Sequence, residues 1–344
     1  MRILHLLSTN SFSGAENVVC QIIDMYKDNE DIDMIYCSPK GSIEEKLSEK
    51  NITFLPLKKL KYKEIKDAIN GYNPNIIHAH DIKASIYASL FSKKCRIISH
   101  IHGNSIAMRK TSLKSLLFLF ASKKFSHIFW VSDSSLKDYK FYNKIYKKSS
   151  VLVNVVNKEE IIKKSNEFEI KQKFDVIYVG RLTELKDPLR LVNIFSSVVK
   201  KIPNSKLAII GNGNMYDEVD NFIKNNKLEK NIYLLGFQSN PYGYIKNSKI
   251  MMLTSIYEGT PMCALEAMCL GKPIISTPTD GMIDLIKQDI NGFLSNNDNE
   301  LLEKIIELLK NEDKLLKMSE NTEKLSAKIN DINKYKKILN NYYK

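Results

Sequence analysis

The sequence has no CxxC pair, and its five cysteines (Cys20, Cys37, Cys95, Cys263 and Cys269) are an odd number lying mostly inside apolar runs. Cysteine in such runs behaves as a small buried hydrophobe. A disulfide framework is therefore not expected, and a reducing cytosol is the expected setting. Nowhere do about 18 uncharged apolar residues run together, so no bilayer-spanning helix is expected. The first apolar run, residues 3–7, is too short for a signal-peptide core and has the length of a strand. No cysteine or further histidine accompanies His78 and His80 at zinc-site spacing, so no bound metal is expected. There is no nucleic-acid-reading motif and no basic stripe with interleaved aromatics, so nucleic acid is not expected as a partner. Acidic residues are in deficit: 39 Asp+Glu against 52 Lys+Arg leave a net charge of +13. Such a surface suits acidic headgroups or phosphorylated substrates. It serves solubility equally well, because net charge says nothing of where the charge sits.

What is present is an α/β pattern. A length of 344 residues suggests two domains, and 43% hydrophobic with 26% charged residues is the balance of a folded chain. Short apolar runs at 3–7, 34–37, 54–56, 76–79, 96–100, 128–131 and 151–153 alternate with amphipathic stretches such as 15–26, 44–49 and 83–92. Between 157 and 174 the chain turns polar and Lys/Glu-rich, which reads as a linker. The alternation restarts with runs at 176–179, 207–210, 232–235, 250–253 and 273–276, and helical stretches at 188–200 and 215–224. After 297 only helical patterns remain. Short apolar runs between helices imply parallel sheets buried on both faces. The expectation is two doubly wound Rossmann-like domains, residues 1–160 and 170–325, facing a central cleft. A terminal segment, 326–344, returns to the first domain.

The strongest chemical signal is Glu258-Gly-Thr-Pro-Met-Cys-Ala-Leu-Glu266. Gly259, Thr260 and Pro261 make a tight turn after the 250–253 run. A helix over 264–270 then stops at Gly271. Free backbone N–H groups at such a helix start form a natural diphosphate site. Glu266, one turn inside, can accept hydrogen bonds from a sugar diol. This segment resembles the E-x7-E signature of the retaining family 4 glycosyltransferases, which have the two-domain GT-B fold. The resemblance implies that Glu258 contacts the donor sugar and Glu266 the nucleotide ribose. Gly259, Thr260, Pro261, Met262, Cys263 and Ala264 would line the donor between them.

Val179-Gly180-Arg181-Leu182 with Lys186-Asp187-Pro188 resembles the family's "GRL…KG" segment, although Asp187-Pro188 stands where Lys-Gly is commoner. Gly180 turns the chain, and Arg181 and Lys186 bring two cations to a strand end, suited to a diphosphate leaving group. Gly211, Gly213, Gly236 and Phe237 close later strands and, by the resemblance, border the nucleobase. No third glycine completes a dinucleotide fingerprint at Gly211-Asn-Gly213. In the first half, Ser13-Gly14-Ala15-Glu16 resembles the "GGxE" loop with Ser13 for its first glycine. Gly14 and Glu16 are assigned there to donor binding, although Glu16 in a first helical turn also serves as a dipole partner. His78-Ala79-His80 resembles "HxH", and His102 of His100-Ile101-His102-Gly103 matches the family's active-site histidine beside the transferred sugar. An imidazole there can donate a hydrogen bond to a sugar hydroxyl. Asn154-Val155-Val156-Asn157 departs from the family's "NGVD", and Asp31-Ile-Asp33 reads as an acidic loop.

The resemblance implies a retaining, metal-independent transferase without a cofactor, moving a hexosyl or N-acetylhexosaminyl group from a nucleotide sugar, UDP-linked by family habit. The acceptor it implies is a saccharide or lipid-linked saccharide of surface polysaccharide. His102, Glu258, Arg181 and Lys186 are the expected catalytic set. No carboxylate nucleophile is evident, so front-face departure is the expected route. Residues 108–129 place Lys and Arg around an apolar Leu/Phe centre, which reads either as a membrane-interface segment facing anionic lipid or as an ordinary half-buried helix. The expected location is the cytoplasm, peripheral at the inner face of the cell membrane. The competing readings are a non-catalytic sugar-nucleotide-binding subunit and an epimerase or phosphorylase of the same fold.

Overall fold

A computed structural model describes residues 1–103 and 105–344. The chain divides into two compact units, one formed by Met1–Asn154 with Asn333–Lys344 and the other by Val155–Ile332.

The first unit is built on β1 (Arg2–Leu6), β2 (Asp33–Pro39), β3 (Phe54–Leu57), β4 (Ile76–Ala79), β5 (Arg96–Ile101), β6 (His127–Trp130) and β7 (Ser149–Val151). They form one parallel seven-stranded sheet in the order β3-β2-β1-β4-β5-β6-β7. Strand order reverses between β1 and β4, the place where doubly wound sheets open a crevice beyond their carboxyl ends. Ile3, Leu4, Ile77, Ile98, Ile128 and Phe129 are buried, as strands covered on both faces must be. The final helix, Ile332–Tyr343, closes this unit with the buried stripe Tyr335, Leu339 and Tyr343 at four-residue spacing. Each such side chain contributes roughly 1.5–3 kcal/mol on burial. The Tyr26 hydroxyl donates to Asn340 Oδ1 (2.6 Å), and Lys336 donates to the Met25 carbonyl (2.6 Å).

The second unit carries β8 (Phe174–Val179), β9 (Leu207–Ile210), β10 (Ile232–Leu234), β11 (Ser248–Leu253), β12 (Ile274–Ser276) and β13 (Gly292–Leu294). This parallel six-stranded sheet runs β10-β9-β8-β11-β12-β13, reversing between β8 and β11. Both sheets are thus doubly wound and α/β, with the Rossmann-like order the apolar runs imply.

Four details differ from the sequence expectations. Residues 158–165 are no linker but the helix Lys158–Ser165, inside the second unit. Asn157 caps it by accepting from the Glu160 N–H (3.0 Å). Glu159 and Glu160 lie at its positive end, Lys163 and Lys164 at its negative end, and Ile161 is buried. The charges that read as linker polarity are placed for the helix dipole. β7 lies at Ser149–Val151 rather than 151–153, in register with residues 128–130 of β6. β13, only three residues long, carries too little periodicity to be seen in sequence. The terminal segment breaks at Asn330–Asp331, so Glu312–Ile329 stays with the second unit and the helix of the first begins at Ile332. Among the described residues no helix is long and apolar enough to cross a membrane.

Candidate active site

In the second unit the loops after β8, β9, β10 and β11 meet beyond the strands' carboxyl ends. The Gly180 N–H donates to the Ile210 carbonyl (3.0 Å), the Gly211 N–H to the Gly236 carbonyl (2.8 Å) and the Leu182 N–H to the Asn212 carbonyl (2.9 Å). Gly211 has φ +143°, and a Cβ there would overlap the Gly180 carbonyl. Only glycine lets these two loops lie this close. The Tyr178 hydroxyl donates to the Arg181 carbonyl (2.9 Å), which fixes the turn while the Arg181 side chain stays exposed. Phe237 is exposed beside Gly236, and Gly213 approaches the Leu182 carbonyl.

Lys186 ends a 3₁₀ turn, Glu184–Lys186, and Asp187 follows in the left-handed conformation as cap of the helix Pro188–Lys201. Thr254 clamps that corner to the end of β11 by donating to the Asp187 carbonyl (2.8 Å). Lys186 Nζ makes an ion pair with Glu258, whose Oε1 also accepts from Ser255 Oγ (2.8 Å). The helix that follows is Met262–Cys269, two residues earlier than expected, with Pro261 as its N-cap. Gly271, with φ +67°, ends it as the sequence implies. The turn 259–261 packs against Gly281, where a Cβ would overlap the Gly259 carbonyl. Met262 and Ala264 are buried and Cys263 is half-buried at the first turn. Burial pushes the Cys263 thiol up to about 12, against the opposing pull of Lys186, so it stays neutral. Glu266 is only 7% exposed and accepts from the Tyr242 hydroxyl (3.2 Å). Burial and the Glu266 carboxylate together raise Tyr242 well above the usual tyrosine range. The site therefore joins one acid paired to a cation, one acid held by a phenol, and a helix start between them.

In the first unit Gly14 opens the helix Gly14–Met25, and Glu16 lies buried in its first turn. Both Glu16 oxygens are taken, one by Thr9 Oγ1 and the other by Ser13 Oγ. In this structure the carboxylate closes the loop after β1. Asp81 ties the same loop to the end of β4, accepting from the Ser8 N–H (2.8 Å) while capping the next helix through Ala84 N–H (2.7 Å). His102 does not stand alone: His80 Nδ1 lies 3.0 Å from His102 Nε2, and His5 Nδ1 lies 2.8 Å from His80 Nε2. His78 and His100 stack alongside. Burial holds His5 and His102 down at about 3, and puts His78, His80 and His100 well below the ordinary imidazole value.

Residues 157–325 match the family described as Glycosyl transferases group 1, and residues 11–132 match Glycosyl transferase 4-like. The chain is 32% identical over 251 residues to an uncharacterized glycosyltransferase of Methanocaldococcus jannaschii, in an alignment spanning 66% of this chain and 62% of that relative. It is 27% identical over 342 residues to the N-acetylgalactosamine-N,N'-diacetylbacillosaminyl-diphospho-undecaprenol 4-alpha-N-acetylgalactosaminyltransferase of Campylobacter jejuni, covering 92% of each chain. Among solved structures, Anabaena HepE in complex with UDP and glucose matches the fold with a TM-score of 0.86 at 18% identity, over 100% of this chain and 99% of that one. The chain belongs to the group 1 glycosyltransferases. Its fold is GT-B, and the E-x7-E segment lies inside the group 1 match.

Several residues of this glycosyltransferase's site escape a motif reading. Tyr242 lies 24 positions before Glu266 on a short helix, Tyr242–Lys246, and nothing in its spacing links it to the E-x7-E. Ser255 and Thr254 follow β11 directly, and hydroxyls after a strand end were the one available hint. Gly281 acts only through the space it leaves. The histidine cluster was hidden for a geometric reason. His5, His80 and His102 are far apart in sequence, but β1, β4 and β5 are adjacent strands, so the sheet assembles them.

Proposed function

We propose that this protein is a retaining, metal-independent glycosyltransferase. It moves a hexosyl or N-acetylhexosaminyl group from a UDP-sugar to a saccharide acceptor, of which a lipid-linked saccharide of surface polysaccharide is the favoured form. The observation that carries the proposal is the arrangement around the Met262 helix. Glu258 is held by Lys186 and Ser255 at its approach, and Glu266 is buried one turn inside. In the proposed complex the helix start and Arg181 and Lys186 take the diphosphate, Glu266 the ribose and Glu258 the sugar. The acceptor oxygen bonds to the anomeric carbon on the face from which the phosphate leaves. The acceptor's proton passes to the departing phosphate oxygen, so no protein nucleophile is required. The Campylobacter jejuni relative's acceptor, carried on diphospho-undecaprenol, and the UDP and glucose bound by Anabaena HepE support the substrate classes.

The membrane part of the proposal rests on the helix Leu113–Ser122. Leu113, Leu117 and Phe120, at helical spacing, are 75%, 44% and 60% exposed, while Phe118 and Ala121 on the other side are buried. Lys110, Lys114, Lys123 and Lys124 flank this stripe. An exposed apolar stripe rimmed by lysines suits the interface of an anionic bilayer. On this reading the protein works peripherally at the inner face of the cell membrane. The test is a panel of nucleotide sugars scanned by thermal shift, followed by transfer to undecaprenyl-diphosphate-linked sugars, with the product's anomeric configuration read by proton coupling. A UDP-sugar that raises the melting temperature and is transferred with retention is the expected result. An inverted product, or turnover that requires an added divalent metal, would contradict it.

A further inference from the structure

All six histidines lie in the first unit, and five of them (His5, His78, His80, His100 and His102) form one buried cluster on β1, β4 and the segment from β5 to residue 102. Two readings compete for it. A metal centre needs ring nitrogens whose lone pairs converge on one point. Here some ring pairs stack and others are tilted, and the nearest nitrogens meet one another directly. His78 with His80 and His100 with His102 have centroids 4.2 Å apart at 33° and 30°, and His78 with His100 is 5.4 Å at 11°. Among the described residues the ring nitrogens of His5, His78 and His80, and those of His80, His100 and His102, come within 4.8 Å of one another and could hold an ion, with no carboxylate or thiolate beside them. The contacts that do form are end to end. His102 Nε2 meets His80 Nδ1 (3.0 Å), His80 Nε2 meets His5 Nδ1 (2.8 Å), and His5 Nε2 meets the Met34 sulfur (3.4 Å).

Each neutral imidazole has one N–H and one lone pair, so the chain runs in only one of two directions. A thioether has no proton to give and only accepts. If His5 Nε2 carries the proton, it donates to Met34. His80 Nε2–H then donates to His5 Nδ1, and His102 Nε2–H to His80 Nδ1. His102 Nδ1 is left as a lone pair. The opposite direction sets the His5 lone pair against the sulfur and leaves an N–H on His102 Nδ1. Among the described residues that buried atom has no hydrogen-bond partner, and orphaned buried N–H groups are the rarer and costlier kind. Both ends of the chain choose the same direction. Burial keeps every ring in it neutral, which the one-proton count requires.

We propose that Met34, His5 and His80 are positioning residues that fix His102 as the Nε2–H tautomer. Its Nδ1 is then an acceptor only, so a sugar hydroxyl that displaces the atoms now enclosing it donates to it and does not receive a hydrogen bond from it. This rests on the proposed function for its ligand, and it reverses the donor role that the family resemblance suggests for His102. The experiment is the ring-nitrogen spectrum of the full chain labelled with ¹⁵N-histidine, at neutral pH, with each ring assigned by single substitution. Expected are unprotonated Nδ1 and protonated Nε2 on His5, His80 and His102. Met34→Leu, a volume-conserving change, is expected to give mixed tautomers at His102. It should raise the donor KM roughly three- to tenfold, as loss of one neutral hydrogen bond implies, while the protein stays folded. A protonated Nδ1 on His102 in the wild-type protein would overturn the inference. So would a stoichiometric zinc ion that is retained through purification and shifts these resonances. The wild-type spectrum decides even if the variant folds poorly. Should no nucleotide sugar bind, the functional reading fails while the tautomer result stands. If transfer occurs and His102 carries its proton on Nδ1, only this inference fails.

Discussion

Glu258 and Glu266 share one signature but are held differently, and the difference is testable at each residue. Glu258 is neutralised by Lys186 and steadied by Ser255. Removing Lys186 frees that carboxylate and takes a cation from the place where leaving-group charge develops. Lys186→Ala is expected to lower kcat 10²- to 10³-fold, the loss typical of one preorganised charge-stabilising group. Steady-state kinetics with the best donor checks this, and unchanged turnover would remove Lys186 from the site. Gly211→Ala is a different kind of test. Its φ of +143° and its contact with the Gly180 carbonyl leave no room for a methyl group. A loss of about 2 kcal/mol or more of stability is expected, measured by denaturant unfolding, with weakened donor binding because Arg181 sits on the displaced loop.

At the scale of elements, the Met262 helix and the turn before it are set by what packs behind them. Gly281→Ala would push the 259–261 turn away from the Ala side chain while leaving both glutamates in the sequence. The donor KM is expected to rise at least tenfold, with a lower melting temperature. The Leu113–Ser122 helix makes the opposite case, an element with an apolar face left uncovered. Replacing Leu113, Leu117 and Phe120 together by serine should leave stability within about 1 kcal/mol, since these side chains are largely exposed. Co-sedimentation with anionic vesicles should fall at least tenfold. Equal co-sedimentation of both proteins would assign this helix no membrane role. The motif elements were legible in sequence because each needs its residues close together: a glycine turn, two nearby cations, one acid before a helix and another inside it. The Lys158–Ser165 helix was not, because its buried content is little more than Ile161 and its charges mimic a linker.

For the whole molecule, the uneven placement of histidine predicts an uneven response to acid. Every histidine lies in the first unit, and burial lowers each below its ordinary 6.5: His5 and His102 to about 3, His127 to about 4, and His78, His80 and His100 well below it. The unfolded chain therefore binds protons that the folded unit refuses. Stability is full above pH 6.5 and falls as pH drops below it, by about 1.4 kcal/mol per histidine per pH unit. Six such groups amount to about 8 kcal/mol at pH 5.5, comparable with the whole stability of a domain. Trp130, the single tryptophan, is buried in the same unit. Its fluorescence is expected to shift to the red with a midpoint between about pH 5 and 6, and a native-like spectrum at pH 4.5 would contradict this. The two doubly wound halves were readable from alternating apolar runs. The histidine cluster was not, because strand adjacency, unlike strand identity, is not written in local periodicity.

The central claim is that the second unit holds a nucleoside diphosphate between the loop after β8 and the Met262 helix, with Glu266 gripping the ribose. Titration calorimetry of UDP against the wild-type protein and Glu266→Ala tests it most directly. The account predicts binding by the wild type and at least tenfold weaker binding by a variant that stays folded, the loss of a charge-assisted hydrogen-bond acceptor. No binding of any nucleoside diphosphate by the wild type, or equal affinity in the two proteins, would contradict it.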